Sequence, residues 1–217
     1  MRGLLLLTIL AVSFLRLWPH ALVLFFGPGR RTVALDLDRW SQIILKRAAQ
    51  TASARLYVFV YLMTRYHEFR NLFYYRTGLV GKAFRFLCPQ VDTLFLRTGK
   101  IGPGLFIQHG FATTIGAKEI GANCWINQQV TVGWRDGSGA PVIGDNVTIN
   151  AGAKVIGNIA IGANSIVGAN AVVIKDVPPD CTVVGVPARI VRKNGVRVTS
   201  SEDSVVRDAT VSQESFA

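Results

Sequence analysis

The chain changes its hydrophobic rhythm three times. From Leu4 to Leu15 it is apolar apart from Thr8 and Ser13, and Arg16, Pro19 and His20 then interrupt the run. Residues 34–76 contain no Pro or Gly and set apolar side chains at near-helical spacing, as in Leu56, Phe59, Val60 and Met63, which predicts two helices. From Ile143 the chain reads in sixes: IGDNVT, INAGAK, VIGNIA, IGANSI, VGANAV, VIKDVP, each opening on Ile or Val. The same phase runs through Ile120, Ile126 and Val132, and a shorter piece holds Ile101 and Ile107. Two irregularities interrupt it. Thirteen residues separate Ile107 from Ile120, and eleven separate Val132 from Ile143, where GWRDGSGAP reads as an inserted loop.

A period of six fits neither the 3.6 of a helix nor a single alternating strand; it predicts a β-solenoid of very short strands. Three sixes close one triangular coil. The β-branched residue of each six points inward and stacks on its equivalent eighteen residues away, while Gly, Asn, Asp and Ala take the bends. The expected organisation is an apolar, membrane-leaning segment (1–30), an α-helical module (31–92), the solenoid (93–193) and a polar tail (194–217) expected to hang free.

Charge divides the chain in the same way. Residues 1–100 hold fifteen Lys or Arg against four Asp or Glu, and residues 101–217 hold nine of each, so the whole +11 excess lies in the first half. Such an excess attracts anionic surfaces. The apolar opening lacks a small-x-small cleavage site, and a spanning helix over 3–26 would carry Arg16 near its centre at a cost of roughly 2.5 to 3.5 kcal/mol. Peripheral attachment fits better. Trp18, Phe25 and Phe26 would sit at headgroup depth, and Arg30, Arg31 and Arg39 would meet anionic lipid on the inner face of the cytoplasmic membrane. No nucleic-acid partner is expected. Cys88, Cys124 and Cys181 form no CxxC pair, so neither a disulfide framework nor a zinc cage is predicted.

The motifs IGPGLFIQHG, INQQVTVG, INAGAKVIGN, VGANAVVIKDVPP and GVPARIV resemble those of the hexapeptide-repeat acyltransferases. The likeness is strongest to the serine acetyltransferase-like branch, including bacterial enzymes associated with surface polysaccharides. The resemblance implies a left-handed parallel β-helix, a hand opposite to that of ordinary crossovers, and a homotrimer with coenzyme A in the groove between neighbouring solenoids. It implies acetyl transfer from acetyl-CoA to a hydroxyl, without a metal. His109, one of three histidines in the chain, matches the family's general base, since a neutral imidazole can take the proton of an attacking alcohol. Ala151 and Ala169 match positions beside the pantetheine arm, and Lys175 and Arg189 match positions that meet the phosphates. Gly133 is a candidate backbone donor to the developing oxyanion.

The acceptor pattern departs from the serine enzymes. Gln108, Leu94 and Gly139-Ala140 stand where an Asp before the His, an Asp fifteen positions upstream and an Arg-His pair belong. Gln108 and Gln128 suit a neutral sugar, which favours a saccharide hydroxyl, with L-serine as the alternative and Arg135 as its substitute cation. Asp92 is a candidate orienter of the imidazole. An inactive scaffold binding membrane or polyanions is the rival of another class. Carbonic-anhydrase-like relatives need three zinc-binding His, whereas the repeat region has only His109. The family's C-terminal Ile, which docks a sulfhydrylase, is replaced by Phe216-Ala217, so that partner is not expected.

Overall fold

The computed structural model describes residues 2–49, 51–137 and 139–198, with side chains from Val12 onward. The end of the predicted tail, residues 199–217, lies outside them. Four helices come first: α1 (Arg2–Phe26), α2 (Arg30–Leu45), α3 (Ala52–Arg65) and α4 (His67–Lys82). The stretch expected to hold two helices thus holds three. Lys46 closes α2 in the left-handed region, the Thr51 hydroxyl accepts the Ala54 N–H at 3.1 Å to open α3, and Tyr66 breaks the chain with extended dihedrals. Neither break carries a Pro or Gly, so spacing alone does not reveal them.

The helices pack through an aromatic cluster and two buried polar devices. Phe59, Phe69 and Phe73 are fully buried, with the Phe69 ring 5.3 Å from Trp40. The buried Arg70 guanidinium donates to the Met63 and Thr64 carbonyls at the end of α3 and to Pro89, satisfying acceptors that a helix C-terminus leaves open. His20 ties α1 to α4. Tyr74 donates its hydroxyl to the Cys88 carbonyl at 2.6 Å, so it accepts from His20 Nε2 at 2.9 Å, and burial lowers the imidazole to about 4.

From residue 94 to 184 the chain is a left-handed parallel β-helix, and its strands form three faces. The first stacks Leu94–Leu96, Thr113–Ile115, Thr131–Gly133, Lys154–Ile156 and Val172–Val173. The second stacks Lys100–Ile101, Glu119–Ile120, Val142–Ile143 and Ala160–Ile161. The third stacks Phe106–Ile107, Trp125–Ile126, Thr148–Ile149, Ile166–Val167 and Cys181–Val184, and Arg189–Lys193 then folds back antiparallel at its end. Every in-phase Ile and Val of the repeat is at most 6 % exposed. Such side chains stabilise by about 1.5–3 kcal/mol each when buried, which is why the period of six holds the fold together.

The register explains both irregularities. Thr148 pairs with Ile166 and Lys154 with Val172, so a regular coil advances eighteen residues. Glu119 pairs with Val142, twenty-three on, because the inserted loop lies between. The thirteen residues from Ile107 to Ile120 divide at the inward Ile115 into eight and five. The corner carrying His109 is therefore two residues longer than the rule, and the next one is a residue short.

The helical module closes the first coil of the solenoid. Trp40 donates Nε1–H to the Leu105 carbonyl at 2.9 Å and sets its ring 4.5 Å from Phe106. Asp36, 1 % exposed, pairs with Arg76 at 2.8 Å and accepts the Gly104 N–H at 2.6 Å, while Arg76 also donates to the carbonyls of Ile101 and Gly102. Burial pushes the Asp36 carboxyl upward, and Arg76 with the Gly104 and Leu105 N–H groups pulls it back. Of the aromatics on α4, Phe69 reaches the solenoid through Trp40 and Tyr75 donates to the Thr98 carbonyl at 2.9 Å, while Phe73 and Tyr74 pack within the helical module.

Candidate active site

His109 stands on the corner between the third and first faces, exposed, in the left-handed region at φ 52. Few residues other than Gly adopt that conformation, although His does so more readily than most. The long corner forces it: Ala112 also has a positive φ, whereas corresponding corners of later coils use one such residue each, Gln129, Gly152 or Asn170. Phe111 N–H closes back on the His109 carbonyl at 2.5 Å, and Gln108 N–H is held by the Ile126 carbonyl at 2.9 Å. The imidazole is thus presented at the rim on a backbone with little freedom.

Because Ile107, Ile126, Ile149 and Val167 lie in register, the residues two positions on form a column along this edge: His109, Gln128, Ala151 and Ala169. Gln108 lies one position inward, in register with Asn127 and Asn150. The column ends near Arg189, which pairs with Val184, and the small Ala151 and Ala169 leave it shallow. Gly133, Arg135 and Lys175 lie elsewhere. They sit at or beyond the far end of the first face, a three-residue strand's length (about 10 Å) from the His109 edge. One chain alone therefore does not bring the oxyanion, cation and Lys175 candidates to the imidazole. A Cβ on Gly133 would meet open space, so close packing does not explain that glycine, and Arg135 pairs with Asp136 at 3.3 Å.

Leu94 is buried beside the histidine step, its Cδ2 2.8 Å from where a Gly110 Cβ would lie, so a branched hydrocarbon occupies the place of the family's Asp. Asp92 lines a cavity with Lys82, Arg85 and Phe86 on the helical side. The carboxylate that reaches the step is instead Glu68, which accepts the Gly110 N–H at 3.1 Å. Sequence reasoning missed it because 42 positions separate the partners. It also passed over Phe111 and Trp134, 60 % and 59 % exposed, where large apolar residues at solvated turns were the available signal. The three thiols are buried and burial pushes each upward, Cys124 to about 11, so none offers a thiolate at neutral pH. Among the described residues no cluster of three or more His, Cys, Asp or Glu is placed to hold a metal.

Residues 140–175 match the family described as bacterial transferase hexapeptide (six repeats). The chain is 46 % identical over 114 residues to a serine acetyltransferase of Synechococcus elongatus, covering 51 % of this chain and 47 % of that protein. It is 51 % identical over 108 residues to one of Staphylococcus aureus, covering 48 % and 51 %. It thus spans about half the length of the curated relatives it matches. Among solved structures it resembles serine acetyltransferase from Brucella abortus, with a TM-score of 0.56, 26 % identity and coverage of 76 % and 69 %. It is similar also to the soybean enzyme complexed with serine, with a TM-score of 0.56, 29 % identity and coverage of 75 % and 69 %. Residues 140–175 thus carry the hexapeptide repeat of the bacterial transferases, and by its register, its corner histidine and these likenesses the repeat region resembles the serine acetyltransferases.

Proposed function

We propose that the protein transfers an acetyl group from acetyl-CoA to an acceptor hydroxyl, with His109 as general base. One observation carries this reading: the exposed His109 heads a shallow column of Gln128, Ala151 and Ala169 that ends near Arg189. A thioester arm laid along the two alanines would bring its carbonyl toward the imidazole and its phosphates toward Arg189. The acceptor O–H gives its proton to His109 as its oxygen attacks the carbonyl. The C–S bond breaks, and the proton passes on to the departing thiolate. The transfer is direct, since the buried thiols offer no acyl-enzyme route.

Gly133, Arg135 and Lys175 enter the same site if a neighbouring subunit sets its far edge against this one, as in a trimer with the donor lying between solenoids. For the acceptor, the relatives named above favour L-serine over the saccharide expected from the sequence. The saccharide stands as a second reading on one observation, the apolar Leu94 beside Gly110 where a serine enzyme carries a carboxylate. The test is acetyl-CoA turnover with L-serine, L-homoserine, nucleotide sugars and short glycans, for parent and Arg135→Ala protein. Fastest turnover with L-serine, weakened about ten- to hundredfold in the variant by loss of a charge-assisted contact, is the expected result. Fastest turnover with a glycan, indifferent to Arg135, would install the saccharide.

We also propose that α1 lies on the inner face of an anionic membrane. Val12, Leu15, Trp18, Leu22 and Phe26 are each more than half exposed and fall along one side of the helix, with the cations Arg16, Arg30 and Arg31 exposed nearby. Among the described residues no helix is long and apolar enough to cross a membrane. The protein is expected to float with vesicles containing phosphatidylserine and to release them as salt rises. Leu15→Glu with Leu22→Glu should abolish flotation; flotation that survives both changes would remove this face from the account.

A further inference from the structure

The solenoid begins with a coil that has nothing beneath it, and its ladder hydrogen bonds need acceptors from elsewhere. At later coils of the His109 edge the equivalent amides are served by the coil below: Gln129 N–H by the Phe111 carbonyl at 2.9 Å, Gly152 by Gln128 at 3.0 Å and Asn170 by Ala151 at 2.9 Å. In the first coil Ala112 takes that position, and Gly110, within the lengthened corner and with no coil below it, gives its N–H to the Glu68 carboxylate at 3.1 Å. Glu68 stands in the first turn of α4, where a carboxylate is favoured by the helix dipole. Its neighbour Phe69 is buried against Trp40, which is itself bonded to Leu105, just ahead of the strand Phe106–Ile107. The carboxylate is therefore held at a fixed place relative to the histidine corner. A Cβ on Gly110 would lie 3.0 Å from Glu68 Cγ and 2.8 Å from Leu94 Cδ2, so only glycine fits without displacing them.

We propose that Glu68 is a positioning residue for His109: by capping the Gly110 amide it fixes the long corner that presents the imidazole. The proposal rests on the reading of His109 as general base. It makes the helical module part of the active site's framework, since α4 supplies the acceptor that the first coil lacks.

The experiment compares Glu68→Gln, which keeps an acceptor oxygen, with Glu68→Ala and the similarly long Glu68→Met, which do not. kcat and KM are measured for both substrates, together with hydrogen exchange in the peptide spanning 106–113. The non-acceptor variants are expected to lose about ten- to hundredfold in kcat, the scale of a misplacement near 1 Å. KM for acetyl-CoA should stay within about twofold, because by the same positioning logic the alanine column is untouched. Exchange at residues 106–113 should quicken in Ala and Met and not in Gln, and Gln should recover most of the parental kcat. Should the Ala protein fail to fold, the Gln and Met pair makes the same comparison. Parental kcat and exchange in Met, or equal losses in Gln and Met, would overturn the proposal. His109→Ala assayed alongside separates the two levels: its full activity would remove the general base itself, whereas an inactive His109→Ala with a fully active Glu68→Met would remove only Glu68.

Discussion

Replacing His109 with Ala is expected to lower kcat by about 10²- to 10⁴-fold, the usual contribution of a general base, with KM for acetyl-CoA nearly unchanged. The split follows from the column: Ala151, Ala169 and Arg189, which would hold the donor, lie one or more coils from the corner that the substitution changes. Stability should hardly fall, because the exposed imidazole contributes little packing and Ala relieves no contact; the cost is confined to holding a β-carbon residue at φ 52, where His is better tolerated than Ala. Steady-state kinetics with saturating acceptor check this. A variant within threefold of the parent would move the base elsewhere, and equal inactivity of both proteins toward every acceptor would favour an inactive scaffold.

The largest expected effect on stability lies at the joint between module and solenoid. Asp36→Ala leaves the Arg76 guanidinium, 6 % exposed, without its carboxylate and takes the acceptor from the Gly104 N–H. Breaking one side of a buried pair costs about 3–5 kcal/mol, because the remaining charge stays desolvated. Asp38→Ala is the internal comparison. Its partner Arg55 lies 3.7 Å away with a side chain 42 % exposed, so the loss should be under about 1 kcal/mol. Denaturant unfolding of both variants tests the contrast. Equal losses would mean that the buried pair does not join the two parts.

What could be read from the chain follows the range of each interaction. The solenoid was legible because a period of six repeats locally and each inward Ile or Val announces its own face. The anomaly at thirteen residues was visible as well, although only the register divides it into eight and five. Contacts made by docking were hidden. Asp36 meets Gly104 across 68 positions and Glu68 meets Gly110 across 42, and no spacing rule connects a helix's first turn to a distant corner. Gly133, Arg135 and Lys175 lie on a different edge from His109 within one chain, so their joining it depends on the groove between neighbouring solenoids that the resemblance implies. The acceptor was judged from missing charges alone, and the relatives weigh toward L-serine.

Direct acetyl transfer is tested most plainly by mixing the purified full chain with acetyl-CoA, with and without L-serine, and following free thiol, acetylated acceptor and intact protein mass together. The account predicts thiol release only with acceptor, one acetylated acceptor per thiol, and a protein mass unchanged throughout. Thiol release without acceptor, with the acetyl group retained on the protein, would contradict it.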